Sequence, residues 1–253
     1  MTGRKSIALL IAAAIVVAGG SFALYVTFRA LTVADAVRIY GASARTRLAP
    51  YFRRAGVAYP PKRIALLAFK NERRIALWAG NAKSWRFIRA YPILAASGKA
   101  GPKLREGDYQ VPEGLYRIEW LNPASSYHLS MKVSYPNEFD RAQAAREHRT
   151  RLGGDIFIHG KNVSIGCIAL GDPAIEELFT LAADSGPQRV RVIIAPSDLR
   201  VAGAPLGENA PLWVAQLYRT IAAALAEFPV WLESNSSIGV SGMRKESKVL
   251  PAR

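Results

Sequence analysis

This 253-residue sequence predicts a mainly β domain with helical additions, an α+β fold carried behind an N-terminal transmembrane helix. Three observations lead there. Residues 7–28 (IALLIAAAIVVAGGSFALYVTF) hold no charge over 22 positions, and a helix of that length reaches ~33 Å, enough for a bilayer core. From Arg63 onward, short apolar runs alternate with Gly, Pro and Asn, the punctuation of strands and turns. Two later segments, 171–184 and 212–228, instead space their apolar residues for helices.

The N-terminal run follows Arg4 and Lys5, as a cleaved signal peptide also would. It is longer than a signal core, and its distal end carries bulky Phe22, Leu24, Tyr25 and Phe28 where a cleavage site needs small residues. An uncleaved single-pass anchor over residues 1–28 is therefore expected, with the cleaved peptide as the alternative. Arg29, Arg38, Arg45 and Arg47 offset the two leading cations, so charge alone does not orient it. Residues 29–61 read as a basic amphipathic linker, with 33–56 a short helix between anchor and domain, that ends at Tyr59-Pro60-Pro61. The main domain spans 62–196. It opens with two strands in RIALLAFKNERRIALWAG around a turn at 70–72, and a third in WRFIRAYPILAAS. Residues 141–151 suit a short helix or a loop, and DIFIH is a strand. Asp172 and Pro173 open a helix, Asp172 as a cap and Pro173 at the first position. RVRVIIAP is the last strand. A helical extension (197–232) and a polar, basic tail (233–253) complete the chain.

Composition narrows the partners. Lys and Arg number 34 against 19 acidic residues, a formal charge of +15 that favours polyanions or anionic surfaces. The cations are scattered, with no helix-length stripe or interleaved aromatic platform, which argues against a nucleic-acid reader and for attraction to a cell wall or lipid head groups. A single cysteine closes no internal disulfide and builds no thiolate zinc cluster.

That cysteine sits in IHGKNVSIGCIAL, eight residues after His159. An imidazole beside a thiol can take its proton and make a nucleophile. The short excursion between His159 and Cys167 would let the two side chains meet, Gly166 would let nearby amides face an oxyanion, and Ser164 adds a hydroxyl. Spacing alone leaves two readings open, an inert buried thiol or a nucleophile with its base. The flanking Gly160, Gly166 and Gly171, more than a plain core strand tolerates, favour the second.

The stretch resembles the signature of the YkuD-type L,D-transpeptidases, a His-Gly pair followed by Ser-x-Gly-Cys, and is most similar to their YafK-like subgroup. The resemblance runs over residues 62–184 and includes SGKAGPKLREGDYQVPEGLYRI, NPASSYHLSMKVSYPNEFDRA and DIFIHGKNVSIGCIAL. It implies a YkuD-type β-sandwich and Cys167 as nucleophile. His159 is then the base, oriented by the Gly160 carbonyl, with Ser164 in the catalytic loop and amides at Gly166 and Cys167 as the oxyanion site. Many relatives carry His before that Gly and Arg two residues after the Cys, where this chain has Ile165 and Ala169.

The resemblance further implies a thioester formed at meso-diaminopimelate of peptidoglycan stem peptides, resolved by an amine in a transpeptidase or by water in a YafK-like hydrolase that releases wall-attached protein. The partners expected are stem peptides, a wall-linked lipoprotein or outer-membrane protein, and the membrane itself, with no nucleic acid, metal or organic cofactor. The place implied is the cytoplasmic membrane with the catalytic domain in the periplasm. A non-catalytic wall-binding anchor is the competing class. Tyr127, His128 and Lys103 are candidates for substrate binding, two of them with a bland alternative: for His128 a strand histidine satisfied by backbone, for Lys103 a solvated charge.

Overall fold

A computed structural model describes residues 30–80, 84–201, 203 and 210–230. The span expected at 7–28 and the tail at 233–253 lie outside the described residues. Among those described, no helix is long and apolar enough to cross a membrane.

Nine strands follow in chain order: β1 (Arg63–Phe69), β2 (Arg74–Gly80), β3 (Trp85–Pro92), β4 (Ala95–Ala96), β5 (Gly114–Ser125), β6 (His128–Val133), β7 (Phe157–His159), β8 (Ile168–Ala169) and β9 (Val190–Ala195). The helices are α1 (Val33–Ala55), α2 (Glu138–Arg146), α3 (Asp172–Ser185) and α4 (Val214–Leu225). The expected α+β class is present. The strands run in one continuous order, β3-β2-β1-β9-β5-β6-β7-β8-β4, in place of the two separate sheets of a sandwich. Register shifts in the β5–β6 pairing bend the long β5, which belongs to both halves of the sheet.

The central strands are apolar on both faces because both are covered. Along β1, Ile64, Leu66 and Ala68 join one core with α1, α3 and the second half of the sheet. Ala65, Leu67 and Phe69 join another under α4 with Val214, Leu217 and Ile221. The segment read as an extension after residue 196 thus supplies half of a core. In the second half the strands alternate: Leu129, Met131, Val133, Ile158 and Ile168 enter the core, leaving the opposite face for polar side chains.

The stretch read as a basic linker forms α1, started by a capping box between Thr32 and Asp35 and ended by Gly56 in the left-handed region (φ 65°). It buries Ala44, Leu48 and Phe52, and two of its arginines, Arg45 and Arg47, are spent on ion pairs to the rest of the molecule. Arg45 grips Asp184 of α3 with two hydrogen bonds of 2.8 and 2.7 Å, and the Tyr59 hydroxyl adds one of 2.6 Å. Arg47 donates to Glu176 and Glu177, both at 2.8 Å. Glu177 also accepts from Arg89 (2.8 Å) and Tyr91 (2.9 Å), leaving its side chain 3% exposed.

A carboxylate this buried is tolerable only while its donors surround it, and removing one member of such a set typically costs ~3–5 kcal/mol. Glu177→Ala is therefore expected to lower the free energy of unfolding by roughly that amount, read from the urea midpoint. Truncating the exposed Arg38, which pairs only with Asp35 on the same helix, should change it by less than ~0.5 kcal/mol.

Candidate active site

The polar face of the second half-sheet assembles the site. Parallel pairing of β7 with β8 sets His159 beside Ala169, and continuing that register back sets Cys167 beside Phe157. Antiparallel pairing of β6 with β7 sets Ser130 beside His159 and Lys132 beside Phe157. Side chains alternate along a strand, so Cys167, Phe157, His159, Ser130 and Lys132 share one face. The sequence-predicted pair is thereby brought together from two adjacent strand ends.

His159 is 2% exposed, and its Nδ1 lies 2.6 Å from the Gly160 carbonyl oxygen. A carbonyl only accepts, so Nδ1 carries the proton and Nε2 keeps its lone pair. Burial holds the imidazole below its ordinary 6.5, against the opposing pull of the Gly160 carbonyl, so the ring is neutral at neutral pH. The ring is covered by Tyr127 at 4.7 Å between centroids.

Burial also raises the Cys167 thiol above its ordinary 9.0, while the charges of Lys132 and Lys103 pull the other way. The resting pair is thus thiol and imidazole, and the Cys167 Sγ donates to the Asp155 carbonyl at 3.5 Å.

The loop between them is held by its own side chains. Ser164 Oγ donates to the Cys167 carbonyl (2.7 Å) and accepts from the Cys167 N–H (3.0 Å). Its hydroxyl is therefore spent on loop shape, and the Cys167 amide is taken up in this state. Gly166 sits at φ 113°, and among the described residues no acceptor engages its N–H. Of the two expected oxyanion amides, Gly166 is the open one.

Gly160 admits no other residue: a Cβ there would lie 2.6 Å from Asp172 Oδ1 and 2.8 Å from the Tyr127 carbonyl. Asp172 was expected to cap α3. Its side chain makes no cap bond, the N-cap position being Gly171. It accepts instead from the Lys161 N–H (2.9 Å) and Nζ (2.7 Å), while Gly171 N–H donates to the Lys161 carbonyl (2.9 Å). The His-Gly turn is thus clamped to the start of α3, because a carboxylate there is closer to two Lys161 donors than to the helix amides.

The other candidates are placed elsewhere. His128, at φ 75°, packs its ring 4.9 Å from Tyr40 of α1 and puts Nε2 3.1 Å from Glu176 Oε1 of α3. Lys103 is buried, its ammonium taken by Asp108 Oδ1 (2.5 Å) and the Arg105 carbonyl (2.8 Å).

Lys132 was missed by sequence reading. It is 9% exposed, over the Phe157 ring at 5.4 Å, and its nearest carboxylate, Asp155, is 3.8 Å away with a side chain 95% exposed. Among the described residues it is a nearly buried ammonium whose nearest carboxylate is a solvent-exposed one, on the face that bears Cys167. The alternation His128, Ser130, Lys132 along β6 was its only sequence signal, and that signal does not reveal the neighbouring strand. Among the described residues, no group of three metal-ligating side chains gathers.

Residues 63–194 match the YkuD family, described as the L,D-transpeptidase catalytic domain. The chain is 35% identical over 133 residues to YafK of Escherichia coli (strain K12), a match covering 51% of this chain and 52% of that protein, so it spans about half the length of the curated relatives. Among solved structures, the helical cell shape determining protein Pgp2 of Campylobacter jejuni is 23% identical with a TM-score of 0.45, covering 55% of this chain and 50% of that one. L,D-transpeptidase 1 of Mycobacterium tuberculosis is 15% identical with a TM-score of 0.31, covering 53% and 62%.

With one cysteine in the chain, alkylation reports Cys167 alone. The iodoacetamide rate is expected to rise with pH through a midpoint above 9; a plateau reached below pH 7 would mean a preformed thiolate–imidazolium pair. Asp172→Ala should shift the His159 imidazole resonances in NMR toward a mixture of tautomers, as the turn carrying the Gly160 carbonyl loosens. Asp172→Asn, which still accepts from the Lys161 N–H, should restore them, and only three histidines need resolving.

Proposed function

This chain belongs to the YkuD family of L,D-transpeptidase catalytic domains, and on that premise we propose that it is a cysteine acyltransferase acting at meso-diaminopimelate of peptidoglycan stem peptides. The observation that carries the reading is the buried His159, its Nδ1–H held by Gly160 and its Nε2 left basic on the face that bears Cys167.

In this mechanism the thiol proton passes to His159 Nε2 as Sγ attacks the carbonyl at the L-centre of diaminopimelate. Charge develops on the carbonyl oxygen, where the Gly166 N–H is available to receive it. The imidazolium then returns its proton to the leaving amine and a thioester remains. Because both resting groups are neutral, each proton transfer accompanies a change at carbon. The Lys132 ammonium would meet the free carboxylate of diaminopimelate, since a buried cation without a close anion gains most from an anionic substrate.

Water is the favoured resolving nucleophile. Ala169, where many relatives carry Arg, is fully buried in β8 between Ala95 and His159, so no cation can stand there to hold a second stem peptide. This supports release of a lipoprotein or outer-membrane protein from diaminopimelate over cross-linking. We place the catalytic domain in the periplasm, behind a single-pass anchor in the cytoplasmic membrane.

The test uses the full chain and muropeptides carrying an amide-linked Lys on diaminopimelate, followed by mass spectrometry. Loss of Lys without dimers marks hydrolysis and new dimers mark transpeptidation; no turnover, or turnover retained by Cys167→Ala, would sink the proposal. Lys132→Ala should lower kcat/KM by ~10–100-fold, mostly through KM, as expected for one charged hydrogen bond. With the substrate carboxylate converted to carboxamide, wild type and variant should differ little.

A further inference from the structure

Four arginines meet at one end of the central strands β1, β9 and β5. Antiparallel pairing of β5 with β9 sets Arg117 directly opposite Arg191, an arrangement that two like charges disfavour. Arg63 lies two residues before Ala65, which pairs with Arg191 across β1 and β9, and so stands on the same face. Arg189 precedes β9 in the single helical turn Pro187–Arg189.

All four line one cavity of about 820 Å³ together with Ser134, Asn137 and Gln188, and Glu138 is the one carboxylate among its described lining residues. None of Cys167, His159 or Lys132 lines it.

Two of the arginines are already set in place. Arg63 lies over the Trp85 ring at 4.3 Å, and Arg191 pairs with Glu227 at 2.7 Å. The other two, Arg117 and Arg189, are exposed, and among the described residues no carboxylate pairs with either guanidinium. Folding has therefore brought two exposed guanidinium groups, Arg117 and Arg189, to one concavity in which, among the described lining residues, Glu138 is the one carboxylate. A guanidinium keeps its charge at any working pH and presents a planar fork of donors that suits phosphate oxygens better than a lysine would.

We propose that this cradle binds a phosphate-bearing anion. Arg117 and Arg189 close on its oxygens, Arg63 and Arg191 form the fixed wall, and the Ser134 hydroxyl, whose oxygen accepts the Arg117 N–H at 3.0 Å, still has its proton to donate. The same chemistry serves a soluble phosphate and a glycerophospholipid head group. The site is independent of the thiol chemistry, so an enzyme held there by a phosphorylated surface would keep its cleft free.

Calorimetric titration of the full chain in detergent decides the matter, using inorganic pyrophosphate in one arm and glycerophosphoglycerol, the soluble head group of phosphatidylglycerol, in the other. One site per chain is expected. The dissociation constant should rise at least tenfold in Arg117→Ala/Arg189→Ala and stay unchanged in Arg105→Ala, an exposed arginine outside the cavity.

Tighter binding of pyrophosphate identifies a soluble ligand and tighter binding of the head group a lipid; either supports the site. Absence of binding by wild type, or equal binding by the double variant with its circular dichroism unchanged, overturns it. Cys167→Ala should bind as wild type, so failure here leaves the proposed transpeptidase-type chemistry untouched.

Discussion

Four carboxylates on one helix hold this molecule together. Along α3, Asp184 takes Arg45 and Tyr59, Glu177 takes Arg47, Arg89 and Tyr91, Glu176 takes Arg47 and His128, and Asp172 takes Lys161 of the catalytic turn. Each side chain is a charge removed in part from water, a cost offset only when several donors arrive together. α1 and β3 dock on α3 in one arrangement or leave the buried Glu177 carboxylate unpaired, while the exposed Lys161–Asp172 pair ties the His-Gly turn to the same helix more weakly. The apolar core beneath would tolerate slippage, whereas these ion pairs do not.

The same logic explains how the site is tuned. Burial keeps thiol and imidazole neutral, so the cleft stores no ion pair that water could quench before a substrate arrives. Gly160 serves twice, its carbonyl fixing the tautomer of His159 and its missing Cβ leaving room for Asp172 and the Tyr127 backbone. Ser164 fixes the loop on Cys167, and Lys132 brings a cation to the same face. Positive charge near the thiol is thus supplied from β6, across the sheet, and not from the strand that follows the cysteine.

Much of the site was legible in the chain because its parts are close in sequence. His159, Gly160, Gly166 and Cys167 lie within nine positions, and a short loop between two adjacent strand ends leaves little choice of geometry. Lys132 and Asp172 were not legible as site residues. Lys132 needed the β6–β7 register. Asp172 needed the turn to approach α3, and without that approach a cap was the natural reading of Asp before Pro. His128 looked like a cleft residue from its neighbours in sequence, yet its positive φ turns the ring toward Tyr40 and Glu176.

By itself the sequence determined the class of the fold, the order of its main strands and helices, and the short loop that joins His159 to Cys167, since these follow from local periodicity, turn chemistry and short-range spacing. Tertiary structure alone decided that the basic helical segment 33–55 docks on the domain, that residues after 196 complete a core, and that Arg117 faces Arg191. The physical reason is common to all three. A charge or an apolar face announces that it needs a partner, but which partner is fixed only when strands distant in the chain take their register and bring the opposing group within reach.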